Sequence, residues 1–338
     1  MRVFIDALGV SDVETGLSRY SLCLLAELIK DKSNLYCLLC STNLPDNHEI
    51  FLLSQENVIF LRRNIPVLGP KRDLMYIALN KIIRRYDMYH CLASYLPLLG
   101  VPIVSVVTVH DLKYYKYPSF LKSKIKSFYL KLVLRITLEK SDYIIAISKS
   151  TKKDIYSIGT PKNAISVIYE ANTITKEEVN NKAFLPLSLN KKEFYFFIGE
   201  NRPHKNIYRL LVAYKQLLAR HRENTPYLVV AGNGTDSKSL KNMVQELKIG
   251  NQVVLMGVVN ENELILLFKN AIALVFPSLY EGFGLPILEA MYFRLAVITS
   301  NKTSTAEVAG NAALVCDPYD AGSISNAMEK VFTDHNLR

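Results

Sequence analysis

Residues 272–289 read IALVFPSLYEGFGLPILE. The apolar run IALVF has the length and composition of a strand buried on both faces. Pro286 suits the first position of a helix, where its missing N–H costs nothing. Between them, Gly282 and Gly284 let the backbone approach a ligand closely, and the partial positive charge of the helix N-terminus favours a phosphate there. Glu281 falls in the turn, and Glu289 is expected in the first turn of the helix. Carboxylates so placed would repel a phosphate they touched, but they suit the hydroxyl hydrogens of a sugar or ribose. Taken singly, Glu281 reads as a turn residue and Glu289 as a complement to the helix dipole. Two acids bracketing G-F-G after a strand point instead to a ligand.

Outward from this stretch, strands and helices alternate in two runs. The first holds MRVFIDAL, NLYCLLC, IVSVVTVHD, YIIAIS and AISVIYE; the second holds EFYFFIGE, YLVVAG, QVVLMG, IALVFPS and AVITS, each with helical sequence between. Residues 173–190 are polar and irregular and read as a linker. The expectation is an α/β protein with two Rossmann-like, doubly wound parallel sheets facing across a cleft, as domains 1–180 and 181–338. Ligands of such sheets sit beyond the carboxyl ends of the strands.

The chain has 338 residues, enough for two domains, and a hydrophobic fraction of 49% with 21% charged residues. MRVFIDALGV, interrupted by Asp6, suits a buried strand and not a secretory signal, and no apolar run is long enough to span a bilayer. The five cysteines lie in apolar runs. Cys37 and Cys40 form a C-x-x-C inside a strand-like segment with no second ligand pair, so they read as core residues in a reducing cytoplasm. The net charge of +10 is uneven: residues 1–190 carry 25 Lys/Arg against 17 Asp/Glu (+8), and the remainder 16 against 14 (+2). That imbalance suggests an anion-facing surface in the first half.

Other strand ends carry candidates. Arg202 and Lys205 follow EFYFFIGE and precede a helix, where two cations can neutralise a diphosphate leaving group; the plain alternative is a pair of solvated loop cations. His110 ends IVSVVTVH; standing alone it reads as a satisfied strand-end histidine, and Asp111 beside it as a cap for the next turn. Gly232-Asn233-Gly234 forms a turn after YLVVAG. No Asp-x-Asp occurs, so no diphosphate-bound metal site is expected.

The segment E-G-F-G-L-P-I-L-E resembles the signature of the family-4 retaining glycosyltransferases. Further segments fit in order along nearly the whole chain: T-G-L-S-R-Y, V-H-D-L, S-D-Y-I-I-A-I-S, V-I-Y-E, F-F-I-G-E-N-R-P-H-K-N-I, V-V-A-G-N-G and S-N-K-T-S-T-A-E-V-A-G-N-A-A. The Arg-Pro-His-Lys-Asn version is similar to the mannosyltransferase-like branch that serves bacterial O-antigen and polysaccharide assembly. The resemblance implies the GT-B fold and hexose transfer from a nucleotide sugar, GDP-mannose or another, with retention and without a cofactor or metal. It implies catalytic roles for His110, facing the donor sugar, and for Glu281, Arg202 and Lys205. It implies donor contacts at Gly16, Asn233, Gly282, Phe283, Gly284, Leu285 and Glu289. The family often has two adjacent glycines where this chain has Thr15-Gly16, which puts acceptor contact there in doubt. A UDP-sugar donor, an epimerase or a non-catalytic sugar-binding scaffold are the competing readings; a nicotinamide-dependent oxidoreductase would need the G-x-G-x-x-G that the first turn lacks.

From Lys113 to Arg135 there are seven basic residues and no acid, interleaved with aromatics. Lys116, Lys122, Lys124 and Lys126 are expected to meet an anionic membrane or a glycan or lipid-linked acceptor, with the protein peripheral on the inner face of the plasma membrane; a solvated helix face is the plain alternative. No nucleic-acid-binding module is recognisable. Family members usually continue into a helix that crosses back to the first domain, and the expectation is that this one is missing after DHNLR.

Overall fold

The computed structural model describes residues 1–12, 15–121, 123–174, 186, 189 and 192–338. The chain divides into two compact units, Met1–Thr173 and Ile174–Arg338. The boundary expected at 180/181 lies outside the described residues.

The first unit is built on seven strands: β1 (Arg2–Asp6), β2 (Leu35–Ser41), β3 (Val58–Arg63), β4 (Met88–Cys91), β5 (Val104–Val109), β6 (Tyr143–Ala146) and β7 (Ile165–Val167). Their order across the sheet is β3-β2-β1-β4-β5-β6-β7. The second unit has six: β8 (Phe194–Ile198), β9 (Tyr227–Ala231), β10 (Val253–Gly257), β11 (Ala273–Phe276), β12 (Ala296–Ser300) and β13 (Leu314–Cys316), in the order β10-β9-β8-β11-β12-β13. Every pairing in both sheets is parallel.

Each sheet therefore winds outward twice from its first strand, leaving a switch point between β1 and β4 in one unit and between β8 and β11 in the other. Helices cover both faces, so the central strands are apolar throughout; Phe194, Tyr195, Phe196 and Phe197 are all at or below 1% exposure. Cys37 and Cys40 lie buried in β2. Burial pushes the Cys40 thiol up to about 12 and raises that of Cys37 as well, so both stay protonated core residues. Cys23 is exposed on the helix Gly16–Leu28.

The basic segment is broken before its long helix. A four-residue helix Lys113–Lys116 and a 3-10 turn Pro118–Phe120 precede the helix Lys124–Lys140. The break has a local cause: Ser123 is extended and its hydroxyl accepts from the Lys126 N–H, capping a fresh helix start.

Candidate functional site

In the second unit, the loops leaving β8 and β11 meet at the switch point. The Leu279 N–H donates to the His204 carbonyl at 2.7 Å. Asn206, in the left-handed region at φ 61°, donates through Nδ2 to the carbonyls of Pro277 and Pro318 at 2.9 and 2.7 Å. These bonds fix the 3-10 turn Pro203–Lys205 against the segment that carries Glu281. Lys205 Nζ then lies 2.8 Å from Glu281 Oε1, with 17% and 12% of the two side chains exposed, and 5.0 Å from the centre of the Phe276 ring. The Glu281 backbone is held on both sides: its N–H donates to Thr303 Oγ1 at 3.2 Å and its carbonyl accepts from Ser304 Oγ at 2.9 Å.

Behind Glu281, Gly282, Phe283, Gly284 and Leu285 are all buried. Gly284 caps the helix Leu285–Tyr292 at φ 111°, a conformation that a side chain would strain. Pro286 is thus the second helical residue. Glu289 is the fifth, 2% exposed, so it stands in the second turn and not the first, because the helix starts at Leu285, directly after its glycine cap. The Gly232-Asn233-Gly234 turn is clasped to the β8 loop, since the Asn201 N–H donates to the Asn233 carbonyl at 2.8 Å and Asn201 Nδ2 to the Gly234 carbonyl at 3.3 Å. A Cβ on Gly232 would lie 2.2 Å from the Gly199 carbonyl oxygen, so only glycine allows this approach. Asn233 itself is exposed. Lys205 and Glu281 are brought together; Arg202 pairs with Glu200 at 3.0 Å, with 61% of its side chain exposed.

In the first unit, His110 follows β5. Its Nε2 lies 2.9 Å from the Leu92 carbonyl oxygen, its Nδ1 lies 3.2 Å from Glu170 Oε1, and its backbone N–H donates to Ser94 Oγ at 3.1 Å. The Tyr20 ring meets it edge-on at 4.7 Å. Nearby, His90 Nε2 lies 2.9 Å from Thr108 Oγ1, and burial, then the neighbouring His110 charge, push the His90 imidazole down to about 4. Asp111 caps the following turn, accepting from the Lys113 N–H at 3.1 Å. Gly16 opens the helix Gly16–Leu28, and Thr15, where the family often has glycine, is its N-cap, accepting from the Ser18 N–H at 3.1 Å.

The four lysines expected at a membrane or acceptor divide. Lys116 is ion-paired with the buried Asp154, so it braces the unit. Lys122 lies outside the described residues. Lys124 and Lys126 are exposed in the first turn of their helix, where cations oppose the dipole and gain from an anionic partner. Sequence reasoning missed Glu170, Asn201, Asn206 and Thr303. Glu170 ends the quoted V-I-Y-E just after β7, a strand-end carboxylate whose position was the available signal.

Among the described residues no group of three or more His, Cys, Asp or Glu side chains is placed to hold a metal, and no helix is long and apolar enough to cross a membrane.

Two family descriptions match the chain: Glycosyltransferase Family 4 over residues 15–171 and Glycosyl transferases group 1 over residues 180–338. The chain belongs to the family-4 glycosyltransferases. Within that family it is 31% identical to the O-antigen chain mannosyltransferase RfbU of Salmonella typhimurium over 228 residues, covering 67% of this chain and 60% of that protein. The match thus spans about three fifths of the relative's length. Among solved structures, sucrose-phosphate synthase of Thermosynechococcus elongatus superposes with a TM-score of 0.76 at 19% identity, covering 99% of this chain and 90% of that one. HepE of Anabaena, in complex with UDP and glucose, gives 0.71 at 16% identity, covering 100% and 91%. At such identities the likeness is one of fold, and the fold is GT-B, with two Rossmann-like domains.

Proposed function

We propose that this glycosyltransferase moves a hexose, mannose from GDP-mannose, onto a glycan or lipid-linked acceptor in cell-surface polysaccharide synthesis. The observation that carries the reading is the Lys205–Glu281 pair, 2.8 Å apart at the switch point of the second sheet, with 17% and 12% of the two side chains exposed. Opposite charges so placed offer a cation to a diphosphate and an acceptor to sugar hydroxyls, and donor binding would exchange their mutual contact for contacts with the ligand. The N-terminus of the helix Leu285–Tyr292 behind the glycines favours the same phosphates. Arg202, with 61% of its side chain exposed, is the second cation offered to the leaving group. In the same reading Asn233, Phe283 and Glu289 add donor contacts within the second unit, and Gly16 is a donor contact by the family resemblance. The choice of mannose rests on the likeness to RfbU; a UDP-sugar is the alternative, HepE being a neighbour that binds UDP.

No residue is placed as a covalent nucleophile in this reading. The sugar–phosphate bond loosens toward an oxocarbenium-like state, and the leaving phosphate takes the acceptor hydroxyl proton on the same face, giving retention. The protein supplies positioning and charge, with Lys205, Arg202 and helix N-termini doing the work of a metal. Incubation with a panel of GDP- and UDP-sugars, read by product mass and anomeric configuration, tests it. Glu281→Ala is expected to cut turnover about 1000-fold with the fold retained; an inverted product, or full activity in that variant, refutes the mechanism.

The acceptor side of the reading is a lipid surface. On the helix Lys124–Lys140, Ile125, Phe128 and Leu132 are 82%, 72% and 40% exposed. At helical spacing they form one row beside a second of Lys124, Lys131 and Arg135. An apolar row flanked by cations fits the anionic inner face of the plasma membrane, and flotation with and without anionic lipid tests it.

A further inference from the structure

The His110 imidazole is held at both nitrogens. A carbonyl oxygen only accepts, so Nε2, 2.9 Å from the Leu92 carbonyl oxygen, carries a proton whatever the charge on the ring. Nδ1 is therefore the one nitrogen at which the ring gains or loses a proton, and it faces Glu170 Oε1 at 3.2 Å. In the doubly protonated ring both contacts are hydrogen bonds, and turning the ring over would set C–H groups against both acceptors, so the two contacts together select one orientation. The pair bridges the carboxyl ends of β5 and β7 across the end of β6, and only 15% of the His110 side chain and 6% of the Glu170 side chain are exposed. Among the described residues, titratable groups that face the pair include Tyr20, edge-on to the imidazole, and His90. Both are neutral near pH 7: burial raises the phenol, a shift opposed by its bond to Thr108 and aided by the Glu170 charge, and burial lowers the imidazole to about 4.

We propose that Glu170 is a positioning residue for His110, holding the imidazole through Nδ1, against the Leu92 carbonyl, in the single orientation that glycosyl transfer uses. The inference rests on the proposed glycosyl transfer and on the family resemblance, which implies that His110 faces the donor sugar. It adds a residue to which the V-I-Y-E segment had lent no role, and it limits what His110 offers the donor. With both ring nitrogens committed inside the first unit, the ring presents a fixed edge, and it gains a free nitrogen only by leaving Glu170.

The test combines kinetics on Glu170→Ala, Glu170→Gln, His110→Ala and the double variant with nitrogen NMR of histidine-labelled protein. Glu170→Ala is expected to lower kcat about 10- to 100-fold, the scale of a small misplacement near the reacting centre. Donor KM should stay within about twofold, since ground-state binding is little touched. Glu170→Gln should recover most of the loss, because the amide oxygen accepts from Nδ1–H of the charged ring and the amide N–H donates to Nδ1 of the neutral one. The double variant should be no slower than His110→Ala, since Glu170 acts only through His110. The proposal falls if Glu170→Ala leaves kcat unchanged, or slows His110→Ala as much as it slows the wild type. If the wild type transfers no sugar from any nucleotide donor, the reading of function has failed, and NMR alone judges the contact. The His110 Nδ1 resonance must then move between wild type and Glu170→Gln while Nε2 stays protonated; an unmoved Nδ1 overturns it.

Discussion

The two sheets share their winding and differ in what stands at the switch point. In the first unit β1 ends on Asp6, wholly buried, whose Oδ2 accepts from Arg72 Nη2 at 2.9 Å, Tyr76 Oη at 2.5 Å and Tyr89 Oη at 2.8 Å. Its Oδ1 accepts from the Leu8 N–H at 3.1 Å. Burial, and then the Asp6 charge, push both phenols well above the usual tyrosine value, so they remain donors. In the second unit β8 ends on Ile198 and passes to Gly199, and the charges there, Lys205 and Glu281, keep contact with water. The same topology thus holds a sealed brace in one half and an open site in the other. Topology sets where a ligand can bind; the side chains decide whether the place is filled or left available.

If that contrast is right, breaking the brace should cost stability and breaking the open pair should cost activity. The largest effect is expected from Asp6→Asn, which leaves Arg72 buried without its counter-charge and should destabilise the first unit by about 3–5 kcal/mol in denaturant unfolding. A loss below about 1 kcal/mol would mean that the network is no brace. Next is acid sensitivity. His90 is neutral when folded and, with its pKa depressed to about 4, binds its proton more readily when unfolded. Its contribution is present above the unfolded value near 6.5 and is lost as pH falls toward 4, roughly 3 kcal/mol in all. His90→Gln should flatten that slope, and an unaltered slope would assign the acid sensitivity to other groups. The smallest effect on stability belongs to Lys205→Met, expected to be about 1–2 kcal/mol because the pair keeps some exposure and Glu281 can rehydrate in part. A loss as large as that of Asp6→Asn would make the second pair a brace too, and would erase the distinction.

Much of this architecture was legible beforehand, for physical reasons. Long Val/Ile/Phe runs such as those at β5 and β8 mark strands buried on both faces, and the E-G-F-G turn after β11 was read at its true place. The strands β3, β4 and β13 were not read. β13 has three residues and β4 four, and β3, apolar at 58–61, ends on Arg62 and Arg63, so none stands out as a strand of ordinary length. Pairing with neighbours makes them strands. Lys116 shows the same limit in the candidate site: in a row of lysines nothing local distinguishes the one whose partner, Asp154, stands 38 residues away.

The order of residues alone determined the class of fold, the family and the chemical types gathered at the strand ends. These depend on local periodicity and on short motifs, and both are written within a few residues of each other. Only the tertiary structure decided the partners: Lys205 with Glu281 and not with Arg202, His110 with Glu170, Asp6 with an arginine and two tyrosines. Hydrogen bonds and ion pairs act over about 3 Å, and residues 60 to 83 positions apart in His110–Glu170, Arg72–Asp6, Lys205–Glu281 and Tyr89–Asp6 reach that distance only once the sheets have wound.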